Sequence, residues 1–476
     1  MNDIIKLLNL KDPDILVSSV DILDGIKKIT LEKRPIPHYC PYCSTRMHSR
    51  GIRKRTVNHP VIQDGFALCL ILKQRRWKCT NIACGHEMNE DFVFVSPGKR
   101  NTNITDMLIL EAFKDLHSTA VSIAHKFHVS DTYVQTVFDR YVSMKRLSLG
   151  KVLSVDEVHL EIPGECEYAL VLFDFVSRQP IDILPSRKQA ETEPYFASIP
   201  IEERIKVKYL VCDMYNPYLT FTEKYFPKAQ TVVDSFHVVQ YLISKILQML
   251  NTLQKRYRQR DEELKKEKEE QAGHKLRLPQ SDEYYLLKNH KWIMLTNVEH
   301  INYSAVSHWD RHFRYYMDTY AYEEHFFAIH ASLREIRDLK EKYIRFNRIC
   351  VGDERKAAEE IDKLIAEYLH CPYELFHDFS RLLKKHRESI IRSFITIDTQ
   401  VGKVRLSNGP IESLNRKPKD IKRNARGYRN FDHIRNRILY SLRTNAPILA
   451  QPRKDSAFKR TAEKQRGSYK KNTPTK

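Results

Sequence analysis

The sequence lacks any apolar run near the roughly 18 residues that a membrane-crossing helix needs, which excludes a helical membrane protein. Its first residues, M-N-D-I-I-K-L-L-N-L-K-D-P-D, lack the long apolar stretch and small-residue cleavage site of a secretory signal, so the expected location is the cytoplasm. It is short of acid as well: 60 Asp and Glu stand against 80 Lys and Arg, a net charge of +20. That balance favours a polyanionic partner, and with no membrane segment nucleic acid outranks a lipid surface. Nine cysteines, an odd number clustered unevenly, argue against a disulfide framework and for a reduced compartment with one metal site. At 476 residues the chain exceeds what one core usually holds, so two or three domains are expected.

Short β-branched runs between about residues 14 and 35 lead into Cys40-Pro-Tyr-Cys43, and a strand-like stretch then leads to Cys79-Thr-Asn-Ile-Ala-Cys84-Gly-His86. Two cysteine pairs on turns offer four thiolates to one tetrahedral, structural Zn²⁺, which a ribbon with little core needs. The second pair is spaced by four residues instead of two, which leaves His86 as a possible substitute for Cys84. Cys69 alternates within a strand and reads as core. Lys73, Arg75, Arg76 and Lys78 surround Trp77, a pattern that suits either phosphate contact or a solvated face.

From Asn101 the pattern turns helical. Ser118–Phe127, a tight turn at 128–130 capped by Ser130 or Asp131, and a second helix exposing Thr132, Tyr133, Gln135 and Thr136 match a helix-turn-helix, with the second helix suited to a DNA major groove. Ordinary helix packing gives the same pattern.

The stretch Lys151-Val-Leu-Ser-Val-Asp156 reads as a buried strand ending in a carboxylate, and Tyr209-Leu-Val-Cys-Asp213 repeats the device. Far downstream, Ser407-Asn-Gly-Pro-Ile-Glu412 predicts a helix capped by Asn408, with Pro410 in its first turn. Pro418 predicts a kink or an end near Lys417. Asn415 and Lys419 share a helix face with Glu412, and Lys422 and Arg423 continue a basic, aromatic-interleaved stretch suited to DNA backbone. Three acids gathered at one sheet edge repel one another unless a cation intervenes. An all-oxygen set suits Mg²⁺ or Mn²⁺, and two such ions about 4 Å apart serve in-line displacement at a phosphodiester. Glu157, Asp174 and Asp182 are weaker choices: Glu157 points to the opposite strand face from Asp156, and the other two lie in a hairpin.

The strand order after Lys151 describes the mixed sheet of a ribonuclease H-like core. Long, charged helical sequence from about 242 to 393 reads as an all-helical insertion, in which Trp292 and Trp309 are expected to be core. The expected layout is a zinc-ribbon domain (1–98), a helix-turn-helix domain (99–149), a first core part (150–242), the insertion (243–395), a second core part with the Glu412 helix (396–451) and a basic disordered tail (452–476).

Taken in this order, the ribbon, the helix pair, L-S-V-D-E, C-D-M-Y-N-P-Y, V-V-D-S-F-H-V-V and S-N-G-P-I-E-S-L-N-R-K-P-K resemble bacterial insertion-sequence transposases of the ISL-three family, over nearly the whole chain. The resemblance implies a catalytic trio of Asp156, Asp213 and Glu412, and double-stranded DNA, both element ends and target, as partner. Strand cleavage and strand transfer would follow in a nucleoid-associated complex, with a homodimer or larger assembly at synapsis. It also implies that Asp234 and His237 brace the site. A DNA-binding regulator derived from a transposase and a metal-dependent nuclease without strand transfer are the alternatives.

Overall fold

In a computed structural model, which describes residues 2–63, 66–214 and 216–453, contacts divide the chain into two compact units. The expected tail lies outside the described residues from 454 onward. The first unit takes residues 1–145, 160–167 and 416–476; the second takes 146–159 and 168–415.

The first unit opens with a short helix α1 (Asn2–Leu7) and a sheet of β1 (Ile15–Leu23), β2 (Ile26–Lys33), β3 (Met47–Gln63), β4 (Phe66–Cys79) and β5 (Glu87–Asn89). Its order is β1-β2-β4-β3, with β5 on the end of β4. Leu31, Val57, Leu70 and Leu72 bury one face completely or nearly so beneath Leu8, Phe92 and Phe94. Period-two alternation then turns Cys69 to the other face, where it is half-exposed instead of core. Three helices follow: α2 (Asn103–Ala112), α3 (Ala120–Phe127) and α4 (Asp131–Tyr141).

Thr119 and Ser122 form a reciprocal capping box at α3, which is why that helix starts at Ala120, two residues later than expected. His128 turns the chain in the left-handed conformation at φ 53°, and Ser130 caps α4 by accepting from the Tyr133 N–H. The last helix, α17 (Phe431–Leu442), packs on these three: Phe113, Phe138 and Tyr440 stack together, and Arg437 donates to the carbonyls of Phe113, Asp115 and Ser118. The contact division therefore differs from the linear boundaries expected, because residues after Asn415 group with the N-terminal unit.

The second unit is built on β6 (Val152–Ile162), β7 (Cys166–Asp174), β8 (Gln179–Leu184), β9 (Tyr209–Cys212) and β10 (Gln230–Val233), a mixed sheet in the order β10-β9-β6-β7-β8. The neighbours β6 and β9, and β9 and β10, run parallel, while β7 and β8 run antiparallel. Alternate residues serve two cores. Leu153, Val155, Leu210 and Cys212 pack with Phe196, Phe221 and Tyr225 of the helices α5 (Gln189–Ser198) and α7 (Asn216–Tyr225); a short α6 (Ile201–Arg204) lies between those two in sequence. Val152, Val211 and Val232 face the other way, onto Leu406 and Phe175.

Helix α8 (Ser235–Ala272) runs unbroken from the end of β10 into the insertion, so no boundary falls at 243. Val238, Leu242, Ile246 and Leu250 bury one stripe at a four-residue spacing, and the charged stretch beyond it is largely exposed up to the left-handed Gly273. Around that stripe pack α9 (Asp282–Asn289), α10 (Trp292–Leu295), α11 (Thr319–Ala328), α12 (Ser332–Ile349), α13 (Glu354–His370), α14 (Glu374–Lys385) and α15 (Arg387–Arg392). The insertion is not all-helical. A ribbon of β11 (His308–Asp310) and β12 (Tyr315–Met317) interrupts it, its turn closed by Arg314 at φ 61° and its base tied by Asp310 to the hydroxyls of Tyr285 and Tyr322. Trp309 lies on this ribbon about half exposed against Tyr316, contrary to the expected core position, whereas Trp292 packs against the helical core. A final hairpin, β13 (Thr396–Thr399) and β14 (Gly402–Arg405), leads into α16 (Gly409–Asn424). That helix continues through Pro418 to Asn424 without ending near Lys417, since the ring removes one internal hydrogen bond and the flanking turns persist.

Candidate active site and metal centre

Three strands deliver three aspartates to one place. Ser154 pairs with Val211 and Val233 with Cys212, so continuing each parallel register by one or two residues sets Asp156, Asp213 and Asp234 abreast. Each shares strand parity with Val152, Val211 or Val232, and therefore faces the side that holds Leu406 and the approach to α16. Glu157 has the other parity, and its carboxylate meets Arg187 at 2.5 Å. Asp174 accepts from the backbone of Val176 and Ser177, and Asp182 from the Tyr195 hydroxyl at 2.8 Å. The acids passed over in the sequence thus have local structural partners.

Asp234, almost fully buried, anchors the glutamate-bearing helix: its Oδ1 accepts the Asn408 N–H at 3.1 Å, while its Oδ2 is buried with no hydrogen-bond partner among the described residues. Asn408 was expected to cap α16 with its side chain. Instead its backbone carbonyl accepts the Glu412 N–H, and its buried amide group makes no hydrogen bond among the described residues. In the first turn of α8, His237 Nε2 lies 3.7 Å from Glu412 Oε1. One turn beyond Glu412, Asn415 donates its amide N–H to Asp156 Oδ2 at 2.8 Å.

Burial pushes the Asp156 carboxyl up to about 6, and the negative charge of Glu412 adds to the effect. Burial likewise raises the Asp234 carboxyl. The oxygens of Asp156, Asp213 and Glu412 are not all within 4.8 Å of one another. Among the described residues, Asp234, His237 and Glu412 are the acidic group that meets that spacing, a geometry able to hold a cation. The sequence pattern Asp234-Ser-Phe-His237 carried this group, but Asn408 as its anchor had no signal beyond its place ahead of Glu412.

In the first unit, Cys40, Cys43, Cys79 and Cys84 bring their sulfurs within 4.8 Å of one another. The Cys40–Cys84 and Cys43–Cys79 sulfurs are 3.6 and 3.4 Å apart, close to the edge of about 3.8 Å that a tetrahedron with 2.3 Å zinc–sulfur bonds requires. Hydrogen bonds with Thr45 hold the Cys43 thiol down at about 6, whereas burial pushes Cys79 up to about 12; four crowded thiols ionise together only beside a cation. Cys84, not His86, completes the set; the His86 ring rests edge-on against Tyr42. Trp77 is buried beside these cysteines and stacked on His38, and of its basic neighbours Lys73, Arg75 and Lys78 pair with Glu32, Glu90 and Glu87, which leaves only Arg76 exposed and favours the solvated-face reading of that strand.

On α4, of the four side chains expected to be exposed only Thr132 is, while the Tyr133 hydroxyl donates to Asp106 at 2.5 Å, Gln135 donates to Asp139 at 3.1 Å and the Thr136 hydroxyl donates to the Thr132 carbonyl at 2.7 Å, all three half-buried. Along α16, Lys419 is exposed, Lys422 pairs with Glu161 at 3.1 Å and Arg423 with Asp420 at 2.7 Å.

A family profile described as a transposase, of the ISL-three type, matches residues 153–438, which run from β6 through α16 and most of α17. The chain belongs to the ISL-three family of transposases. Among curated proteins, the transposase for insertion sequence element IS1001 of Bordetella parapertussis is 26% identical over 208 residues, 42% of this chain. The match spans about half (49%) of that relative's length. Among the described residues no helix is long and apolar enough to cross a membrane.

Proposed function

We propose that this transposase binds double-stranded DNA at the terminal inverted repeats of an insertion sequence and carries out strand cleavage followed by strand transfer. In this reading the mixed sheet is a ribonuclease H-like core, and Asp156, Asp213 and Glu412 are the catalytic carboxylates. The observation that carries the proposal is the alignment of Asp156, Asp213 and Asp234 on one face of three parallel strands, with Glu412 fixed to that face through Asp234 and Asn408. The donor set is carboxylate oxygen with one imidazole, and one buried Asp234 oxygen and the buried Asn415 Oδ1 have no partner among the described residues, which fits a site built around hard divalent cations.

Two Mg²⁺ or Mn²⁺ ions, when bound, supply activation of the attacking oxygen and charge stabilisation at the leaving one. The residues supply the rest. Asp156, oriented by Asn415, and Asp213 hold the sheet side of the site. Glu412 closes it from α16, and Asp234 and His237 brace that helix. Water first frees a 3′-hydroxyl at the element's end, and that hydroxyl then attacks a phosphodiester of target DNA, each step exchanging one P–O bond for another. The four cysteines hold one structural Zn²⁺ in an N-terminal ribbon, and α3 and α4 form a helix-turn-helix in which Thr132 is the side chain best exposed to a groove. Exposed Lys419 adds phosphate contact along α16. Two ends are brought together by a dimer or larger assembly.

The test is a cleavage and joining assay on DNA carrying the element's ends. Mg²⁺-dependent nicking at the end followed by joined product supports the proposal. Cleavage without joining makes the protein a nuclease, and tight binding without cleavage makes it a regulator.

A further inference from the structure

A cavity of about 330 Å³ opens beside the carboxylates, within the second unit. Asp234 and Glu412 form its acidic side, Phe236 and Val239 from α8 its apolar side, and Asn347 and Ser407 its polar rim. Its size is at the small end of ligand pockets, which start at about 300 Å³. Phe236 is 55% exposed although it stands between buried Asp234 and the site histidine, with its ring edge-on to His237 at 5.6 Å. Neither metal binding nor anchoring of α16 uses that ring. Asn347 is fixed from behind: Arg405 donates to its carbonyl and side-chain oxygens, and its amide donates to the Tyr343 carbonyl. The rim is thus preorganised, and the remaining amide hydrogen is available to a ligand.

We propose that this cavity receives one unpaired nucleobase of the DNA end, turned out of the stack and laid on Phe236, with Asn347 and Ser407 meeting its polar edge. The inference rests on the proposed DNA chemistry at the neighbouring carboxylates. When a phosphodiester is held there, the ligand group next to the cavity is the base of an adjoining nucleotide. A base alone in that ligand combines a flat apolar face for an aromatic ring with donors and acceptors at its rim. A base that stays paired within the duplex has both faces covered by its stacked neighbours and none free for Phe236, so the occupant is extruded or single-stranded.

The test compares cleavage by the full chain and by Phe236→Ala and Phe236→Trp, on intact ends and on ends carrying one abasic site at each nucleotide flanking the cut in turn. Stacking of a base on an aromatic is worth about 1–3 kcal/mol, so Phe236→Ala is expected to slow cleavage of intact ends by about fivefold to a hundredfold. Phe236→Trp is expected to cut like wild type. At one abasic position wild type and Phe236→Ala should cut equally, because no base remains to be held. The inference is overturned if Phe236→Ala cuts intact ends like wild type, or if its defect is the same on abasic ends at every position, which marks a structural role. If wild type cuts no end DNA under any condition, the proposed function itself fails, and this inference with it.

Discussion

Asp156 carries the pH dependence of the proposed site. Its carboxyl stands near 6 because it is buried and faces Glu412, so at lower pH it holds a proton that a divalent cation must displace. The sign is therefore fixed: affinity for Mn²⁺ or Mg²⁺ should rise with pH through about 6 and level off above 7, falling about tenfold per unit on the acid side. Asn415 donates to the ionised form, so Asn415→Ala should move the midpoint upward and weaken the metal by about 10- to 100-fold, as loss of a ligand-orienting hydrogen bond commonly does. Calorimetric titration with Mn²⁺ across about pH 5 to 8 checks both, and a flat profile would contradict the role given to Asp156. At this scale much was legible in the sequence. An apolar run leading into an acid singled out Asp156 and Asp213 as candidates, although β6 does not end at Asp156 as expected but continues to Ile162, and strand parity separated Asp156 from Glu157. The hold of Asp234 on the Asn408 backbone was not legible, because it joins groups 174 residues apart through a main-chain N–H that no side-chain pattern advertises.

Among elements, the proposal of a structural Zn²⁺ bears most on the cysteine ribbon. Among the described residues its buried core is Cys40, Met47, Trp77 and Cys79 with Cys43, Cys84 and Met88 half-buried against it, a small core of the kind that a structural metal commonly supplements. One Zn²⁺ per chain is expected by elemental analysis, and Cys79→Ser is expected to lose it together with the ribbon's protection against proteolysis, while the catalytic unit stays folded. Full protection in a zinc-free Cys79→Ser protein would contradict the assignment. Spacing alone left Cys84 and His86 open, and the geometry favours Cys84, whose sulfur lies 3.6 Å from that of Cys40. The end expected near Lys417 does not occur: the penalty of Pro418 is about 3 kcal/mol, but the buried residues Leu414 and Ile421 on either side hold the helix across it. The β11–β12 ribbon escaped because three-residue strands rich in aromatics leave no periodic signal within helical sequence.

For the whole molecule, linear order and spatial grouping part company. Helix α17 follows the proposed catalytic glutamate in sequence yet packs with α2, α3 and α4, so the N-terminal unit is completed by the C-terminal end of the chain. Sequence reading placed that helix with the catalytic core because it follows the catalytic motif without a break, and an amphipathic pattern names a buried face without naming the partner. The proposed site is self-contained: Asp156, Asp213, Asp234, His237, Glu412 and Asn415 all fall within the second unit, although they are spread from position 156 to position 415.

The most direct test of the central claim measures end cleavage by Asp156→Asn, Asp213→Asn and Glu412→Gln beside the controls Glu157→Gln and Asp182→Asn, with DNA binding and thermal unfolding recorded for each. The expected result is that the first three fold and bind ends like wild type yet neither cut nor join, while the folded controls keep cutting. Wild-type cleavage by any of the three, or a loss confined to the controls, would contradict it.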